Sequence, residues 1–286
     1  MSRKNIFDLV STSFHVDHEL DRIRRLFIEE KPVFVYSIRT DCSVLRYVDK
    51  YGFYQWRNRG RCIDVNDFLS VLGYDELWNS APSNLQDFLT LIEIVYNFCW
   101  IVKNASSKGK VSIDRFQEKH FAILEETLKE CLSHYNYKGK YFNDLEQLIV
   151  IEDKPEATAV AEIVDNELGY KVLRYNHYML KGDLQEKKDI LLALGADLEP
   201  KRKQIQAIDK DLEDSIFYIL NNLNLRHNNK IVGDKNYRQA VADMDDITLE
   251  SWYDELYQMM LLAYLQLDQV TRAAKVKMLK QTVTPK

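Results

Sequence analysis

The sequence contains little of what builds irregular, disulfide-bonded or membrane-spanning proteins. Of its 286 residues, 5 are proline and 9 are glycine, which excludes collagen-like, low-complexity and loop-dominated chains. The longest uncharged apolar run, residues 94–102, is interrupted by Asn97 and is far too short to cross a bilayer. The four cysteines, at positions 42, 62, 99 and 131, form no CxxC pair. We therefore expect free thiols, with neither disulfides nor a zinc site.

The chain also has no large excess of positive or negative charge, because its net charge is only −5. This excludes a protein that coats nucleic acid through bulk positive charge, although local basic patches remain compatible with it. The first eight residues carry cations but neither the apolar core nor the cleavage site of a signal peptide, so a cytoplasmic location without membrane contact is expected. The six histidines are scattered and no glycine-rich nucleotide-binding motif is present, so the sequence predicts no metal and no cofactor.

Hydrophobic residues make up 46% of the chain, enough for a sizeable core, and mostly recur at helical spacing. The sequence therefore predicts an all-α fold, a multi-helix bundle with a small irregular N-terminal part that holds at most one or two short strands. Residues 33–38 form the best strand-like run, whereas 148–151 fit equally the end of a helix beginning near 143. Polar residues at 80–83 predict a boundary between an N-terminal region, 1–80, and a helical bundle, 81–286.

Several predicted helices after residue 80 have recognisable ends. Ser83 or Asn84 is expected to cap a helix that stops at 106–109, and Ser112 to cap the following one. Asp183 and Glu186 have the spacing of a capping box. The remaining predicted ends are Pro155 in a first helical turn and Gly195 as a C-terminal glycine.

Two long helices are predicted near the C-terminus. One runs from Pro200 to Leu223, and the other begins at Asp246 or Thr248. In the second helix, Trp252 belongs to a broad apolar arc, which is typical of a central helix that is contacted on several sides. The two helices are expected to pack as an antiparallel pair.

The segment 223–230 at the end of the first of these helices carries the candidate catalytic residues Arg226, His227 and Asn228. Arg226 and His227 lie three and four residues beyond Leu223, so both are expected to face the apolar seam, where charged side chains are costly unless paired or reactive. An arginine can hold a phosphate bidentately, and a histidine near a helix C-terminus favours its protonated form. Together they would suit metal-independent cleavage of RNA.

A structural interpretation of the same segment stays open. Cationic side chains near a helix end often bond the last carbonyls, with Asn228 or Asn229 as the left-handed cap. If the two last helices pack antiparallel, Glu250 and Asp254 would neutralise Arg226.

A long helix that ends in an Arg/His/Asn cluster, followed by a polar loop and a further core helix, resembles the HEPN superfamily of small all-α nucleases. The resemblance covers roughly residues 200–270, with a HEPN-like helix pair at about 200–280. The family pattern has an arginine, a polar residue and then a histidine several positions later; here His227 follows Arg226 at once. The resemblance implies RNA binding and metal-independent cleavage across a homodimer, in abortive infection or phage defence.

Aromatic and cationic residues alternate in three segments, 51–61, 135–142 and 174–178. Such clusters suit single-stranded nucleic acid, because bases stack on aromatic rings beside cations that contact phosphate. They are equally compatible with a protein interface, or with core aromatics beside solvated cations. The candidate nucleic-acid-binding residues are Trp56, Arg57, Arg59, Arg61, Lys138 and Lys140.

Two functions of different classes follow from these patterns. The first is a HEPN-like protein that binds RNA and cleaves it, with RNA as partner. The alternative is a non-catalytic helical protein that contacts another protein or a second copy of itself.

Overall fold

The computed structural model describes residues 14–74, 82–115 and 119–283. The chain divides into two compact units, Met1–Asp153 and Lys154–Lys286, which we call unit 1 and unit 2. Helix makes up 67% of the structure, so the prediction of a mainly α protein is confirmed.

Unit 1 combines helices with two small antiparallel sheets, of strand order β2-β1-β3 and β4-β5. Its elements are α1 (Val16–Arg24), β1 (Val33–Val35), β2 (Thr40–Cys42), α2 (Val44–Tyr47), α3 (Val65–Val71), α4 (Leu85–Ser107), β3 (Val111–Ile113), α5 (His120–His134), β4 (Tyr137–Phe142) and β5 (Gln147–Glu152). Two of these strands, β1 and β2, lie in the predicted N-terminal part, whereas β3, β4 and β5 lie after residue 80, where the sequence predicted a helical bundle. Strands β1, β2 and β3 have three residues each, too few to show a period of two, and the ladder between β1 and β3 joins segments that are distant along the chain.

Helix α4 is the core of unit 1. Its Phe98 packs against the rings of Phe53, Trp56 and Phe68, all within 6.4 Å between ring centroids. By length and composition α4 would be able to cross a membrane, but 67% of its most apolar window is buried inside the protein. This burial is typical of the central helix of a soluble protein.

The interruption of the apolar run at Asn97 has a structural cause. Its side-chain amide donates to the carbonyl of Leu148 and accepts from the N–H of Leu148, both at 2.9 Å. The carboxylate of Glu93, one turn earlier, accepts from the N–H of Val150 at 2.6 Å. Helix α4 thus satisfies three backbone groups on the outer edge of β5, at Leu148 and Val150.

The structure divides the chain after Asp153 rather than near residue 80. The reason is that α4 forms one core with the residues that precede it. For example, a Cβ added at Gly52 would lie 2.6 Å from the side chain of Ile101, so glycine permits this close approach to α4. Of the polar stretch at 80–83, residues 80 and 81 lie outside the described residues.

Unit 2 is helical throughout its regular elements. These are α6 (Pro155–Ile163), α7 (Asn166–Arg174), α8 (Leu184–Leu198), α9 (Arg202–Ile208), α10 (Lys210–Asn222), α11 (Gln239–Ala242) and α12 (Asp246–Val283). One face of α12 is buried against α6, α8, α9 and α10 and forms the centre of the core.

Local signals at helix starts were interpreted correctly. The side chain of Asn84 accepts from the N–H of Asp87 at the start of α4, and Pro155 opens α6. Asp183 caps α8 by accepting from the N–H of Glu186 at 2.9 Å, which confirms the predicted N-terminus.

Two predicted ends were wrong. Ser112 lies in β3, and α5 begins only at His120; residues 116–118 between them lie outside the described residues. Gly195 does not end α8 but lies inside it, where an added Cβ would meet the side chain of Leu220 at 3.0 Å. The glycine therefore permits close packing of α8 on α10.

The two long C-terminal helices also differ from expectation. The first is divided at Asp209, whose backbone is extended and whose side chain caps α10 by accepting from Leu212 N–H. In the second, α12, Trp252 is not central but 44% exposed, because the buried face runs along tyrosines such as Tyr253 and Tyr257. The helix itself contacts α6, α8, α9 and α10, as expected of a central helix, but the part of the predicted arc that carries Trp252 faces solvent.

Candidate functional site

The predicted catalytic segment lies in a loop and not on a helix. Helix α10 ends at Asn222, and Asn224 adopts the left-handed conformation, with φ of 57°. The left-handed cap is therefore Asn224, not Asn228 or Asn229. Asn229 instead is buried, accepting from Asn224 N–H and donating to the carbonyl of Asn236, both at 2.8 Å.

Arg226 is half-buried and already has a counter-ion. Its guanidinium lies 2.6 Å from the carboxylate of Glu199 and over the ring of Phe217, 5.5 Å from the centroid. Glu250 and Asp254, expected to neutralise Arg226, bind Lys187 instead, at 2.7 and 2.6 Å. That expectation failed because the helix ends before Arg226.

The other two candidate catalytic residues, His227 and Asn228, are exposed. The structure does not bring either side chain to the apolar seam. Arg226 is half-buried and His227 is exposed, so the expectation that both face the apolar seam was wrong, because the helix ends before them. The side chains of Arg226, His227 and Asn228 therefore do not form a common buried site in unit 2.

The aromatic member of the first basic cluster is a core residue. Trp56 is 6% exposed, and its indole N–H donates to the carbonyl of Glu146 at 3.3 Å. A buried ring offers no face to a base, so the prediction that Trp56 is a stacking platform was wrong.

The three arginines that follow differ from one another. Arg57 is exposed, 3.9 Å from the carboxylate of Glu146. Arg59 is half-buried and donates to the carbonyls of Tyr54 and Cys62, so its role is to hold the loop. Arg61 is exposed. The cluster is therefore one structural arginine between two solvated ones.

The second and third clusters are also largely structural. Lys138 and Lys140 lie on one face of β4 and are half-exposed, and the ammonium of Lys138 lies 2.6 Å from the carboxylate of Asp153. In the third cluster, Tyr175 is buried and stacks on Tyr257 with 4.0 Å between ring centroids.

A different set of aromatic and cationic residues converges in unit 1, on an open cleft of about 430 Å³. We call it the tyrosine–lysine cleft. Its lining residues are Val35, Tyr36, Ser37, Tyr47, Lys50, Tyr51, Tyr54, Gln55, Gly109 and Lys110.

Three neighbouring turns build the tyrosine–lysine cleft. The first follows β1 and carries Tyr36, which is 51% exposed. The second is a π-helical turn, Val48–Gly52, which continues into a 3-10 turn, Phe53–Gln55, and carries the 62% exposed Tyr54. The third is the glycine turn at the end of α4, where Gly109 has φ of 68° and so places Lys110 beside the first turn.

Hydrogen bonds connect these turns. The N–H of Tyr36 donates to the carbonyl of Lys110 at 3.3 Å. The ammonium of Lys110 donates to the side-chain oxygen of Gln55 at 3.0 Å, and the amide of Gln55 donates to the Tyr54 hydroxyl at 2.8 Å. Tyr47, the buried tyrosine of the lining, has a pKa that burial raises above its ordinary value.

Sequence reasoning found part of this cleft and missed the rest. The first aromatic–basic cluster included Tyr51, Tyr54 and Gln55, but the residues predicted to bind nucleic acid were Trp56 and the arginines that follow it. Lys110 follows a glycine that was assigned only to ending a helix, and Tyr36 stood in a predicted strand. Gln55 and Lys110 are more than fifty positions apart, so their spacing along the chain could not predict that they lie close together.

Among the described residues, no group of three or more histidine, cysteine or acidic side chains has the geometry of a metal site. No family model, curated protein or solved structure matches this chain.

Proposed function

We propose that the protein binds single-stranded RNA through the tyrosine–lysine cleft of unit 1. The observation that supports this most directly is the convergence of two lysines and three accessible tyrosines, Tyr36, Tyr51 and Tyr54, on one open cleft. Aromatic rings beside cations are the combination that single-stranded nucleic acid uses, with bases stacked on rings and phosphates held by ammonium groups. In this proposal RNA meets the protein in the cytoplasm.

The size and exposure of the cleft suit one or two nucleotides of a longer strand. Ligand pockets typically range from about 300 to 1,000 Å³, and the volume of about 430 Å³ lies near the lower end. Tyr36 and Tyr54 are more than half exposed, so their rings are accessible without rearrangement of the core. An open cleft with accessible rings accepts a strand that continues on both sides.

The charge of the cleft favours phosphate. Lys50 is exposed and Lys110 is tethered to Gln55, and among the described lining residues none is acidic. A local excess of positive charge therefore exists on a protein whose net charge is −5. Binding should accordingly be confined to this surface and should weaken with salt, because counterions are released from the strand.

The proposal is tested by fluorescence anisotropy with a labelled single-stranded RNA of mixed sequence. Replacing Tyr36 and Tyr54 together by Ala should weaken binding by about 5- to 150-fold for each base that stacks, since one stacked base contributes about 1–3 kcal/mol. Phe at both positions should retain most of the affinity because the ring remains. Lys50→Gln and Lys110→Gln should each reduce the slope of log affinity against log salt by about 0.7.

The matched control replaces cations outside the cleft. Arg57→Gln with Arg61→Gln removes two exposed charges from the neighbouring loop and should leave affinity and salt slope nearly unchanged. The proposal is overturned if the double tyrosine variant binds RNA like the wild type, or if the loop variant loses as much as the lysine variants. Equal affinity for single-stranded DNA would extend the ligand class without moving the site.

RNA cleavage by the Arg226 segment is a separate proposal, supported by the resemblance and by the exposure of His227 and Asn228. Its obstacle is the ion pair between Arg226 and Glu199. Incubation with total RNA in EDTA, with Arg226→Ala and His227→Ala as comparisons, tests it directly. RNA fragments that form with the wild type and not with either variant would support cleavage. RNA that stays intact with the wild type would contradict cleavage.

A further inference from the structure

The side-chain amide of Gln55 connects two parts of the tyrosine–lysine cleft. Its oxygen accepts from the ammonium of Lys110 at 3.0 Å, and its nitrogen donates to the hydroxyl of Tyr54 at 2.8 Å. Lys110 lies at the glycine turn after α4, whereas Tyr54 lies in the 3-10 turn Phe53–Gln55, more than fifty positions earlier in the chain. One amide group thus holds a cation beside an exposed aromatic ring.

The partners of this amide determine its orientation. An ammonium group carries donors and no acceptor, so the atom of Gln55 that faces Lys110 has to be the oxygen. The nitrogen is then directed at the hydroxyl oxygen of Tyr54, with a second and longer contact to the carbonyl of Tyr51 at 3.5 Å. Both donors of the Gln55 amide are therefore used within the protein, and none is left to donate to a base or a phosphate.

The hydrogen bond to Gln55 restricts Lys110 before any ligand binds. The side chain of Lys110 is exposed, and a lysine has a flexible four-carbon stem. Fixing such a side chain at the moment of binding costs conformational entropy, and restricting it beforehand reduces that cost. Gln55 therefore prepares the ammonium of Lys110 for an anion without contacting the anion itself.

Lys50, the other lysine of the cleft, differs in this respect. It is exposed and lines the same cleft. Among the described residues, the side chain of Gln55 bonds to Lys110, Tyr54 and Tyr51, and not to Lys50. Contacts of Lys110 with phosphate should therefore depend on Gln55, and contacts of Lys50 should not.

We propose that Gln55 is the positioning residue of the tyrosine–lysine cleft, and that the cleft selects a nucleotide strand over a polyanion that has no bases. This inference rests on the proposed function. Gln55 holds the ammonium that contacts a phosphate next to the ring on which a base stacks, so that a base and an adjoining phosphate bind as one unit. A polyanion without bases would contact the lysines but would leave the ring of Tyr54 unused.

A double-mutant cycle on RNA affinity tests the positioning role. Gln55→Ala should weaken binding of the labelled single-stranded RNA by about 2- to 10-fold, the usual effect of one hydrogen bond. In a Lys110→Met background the same change should have almost no effect, because no ammonium remains to be positioned. In a Lys50→Met background it should keep its full effect.

The salt dependence separates positioning from a loss of charge. Gln55→Ala should leave the slope of log affinity against log salt unchanged, because the ammonium of Lys110 still reaches the phosphate. Gln55→Glu should reduce the slope by about 0.7, because its carboxylate neutralises Lys110. Gln55→Met keeps the length of the side chain without the amide and should behave like Gln55→Ala.

Asn58→Ala is the matched control for the structure of the loop. Asn58 is also an exposed amide, three positions after Gln55, and it donates to the carbonyls of Leu145 and Glu146 at 3.0 and 2.8 Å. It is not a lining residue of the cleft, so its loss should leave RNA affinity unchanged. Thermal unfolding of every variant separates loss of the fold from loss of binding.

Competition with inorganic polyphosphate tests the ligand class. At equal concentration of phosphate groups, polyphosphate should displace the labelled RNA less well than unlabelled RNA does, by about 5- to 150-fold for each base that stacks. Competition by polyphosphate that equals competition by RNA overturns the selection of a nucleotide strand.

The cycle also distinguishes this inference from the proposed function. If the wild type binds RNA but the effects of Gln55→Ala and Lys110→Met simply add, the positioning role is overturned and RNA binding by the cleft stands. An equal loss of affinity in Asn58→Ala overturns the positioning role as well. A wild type that does not bind RNA overturns the proposed function and this inference together.

Discussion

The side-chain amide of Asn97 makes two hydrogen bonds with one residue, the strand residue Leu148. It donates to the carbonyl and accepts from the N–H, both at 2.9 Å. The Asn97 amide makes the two hydrogen bonds that the backbone of a neighbouring strand would otherwise make with Leu148. It lies in the middle of an otherwise apolar helix.

Asn97→Ala should lower the free energy of unfolding by about 3 kcal/mol, because it leaves the buried N–H and carbonyl of Leu148 without partners. Urea unfolding followed by circular dichroism measures this loss. Asn104→Ala is the matched control on α4, where Asn104 is half-buried, and should cost less than about 1 kcal/mol. Equal losses in both variants would show that the two hydrogen bonds of Asn97 add nothing to the free energy of unfolding beyond what a half-buried asparagine contributes.

The two tryptophans Trp56 and Trp252 should respond oppositely to truncation. Trp56→Ala removes a ring that is 6% exposed and packed on Phe98, and should cost about 3–5 kcal/mol. Trp252→Ala removes a ring that is 44% exposed, and should cost less than about 1 kcal/mol. Thermal and urea unfolding of both variants check this order, and a reversed order would contradict the assignment of the core.

Stability at low pH should depend on Glu250. Burial opposes its ionisation, but the N–H of Gly182 and the ammonium of Lys187, at 2.7 Å each, outweigh this and hold the pKa below its ordinary value of 4.5. Ionised Glu250 therefore stabilises the folded state above pH 4.5, and this contribution is lost as pH falls through the folded-state pKa.

Glu250→Gln should accordingly be less stable than the wild type at neutral pH, with a difference that shrinks under acid conditions. Unfolding in urea between pH 7 and about pH 3 measures it. Lys187→Ala is the companion variant and should cost about 3 kcal/mol at neutral pH, because it leaves two neighbouring carboxylates without their cation. A pH-independent difference for Glu250→Gln would contradict the ion pair.

The thiols should be unreactive in the folded protein. Burial raises the pKa of Cys42 to about 11 and of Cys131 to about 12, and raises that of Cys99 as well. A disulfide reagent at pH 8 should therefore modify them only as fast as the protein unfolds, and should count four thiols in denaturant. A thiol that reacts at once under native conditions would contradict their burial.

Features that depend on a few neighbouring residues were predictable from the sequence. The N-cap at Asn84, the start at Pro155 and the cap at Asp183 each rest on contacts within three or four residues. The mainly helical content follows from the same local periodicity. Local rules failed at Asp209, because the sequence 200–223 keeps helical spacing across a break that the side chain of Asp209 stabilises.

Features that depend on distant partners were not predictable. Arg226 binds Glu199, 27 positions earlier, and the orientation of Trp56 depends on α4 and on the carbonyl of Glu146. The tyrosine–lysine cleft brings Tyr36 to Lys110, whose carbonyl accepts from the Tyr36 N–H although the two residues are far apart along the chain. The sequence shows where aromatic and basic residues cluster, but only tertiary contacts decide which rings are exposed.

The carboxylate of Glu93 and the amide of Asn97 have a consequence for solubility. A strand edge with unpaired N–H and carbonyl groups recruits strands from other molecules and starts aggregation. Along β5 the N–H and carbonyl of Leu148 and the N–H of Val150 are bonded by side chains of α4, so these groups are not available to a further strand. During folding, this edge is covered only after α4 has packed against β5. A folding intermediate without that contact would expose the apolar strand 147–152 to pairing with strands of other molecules.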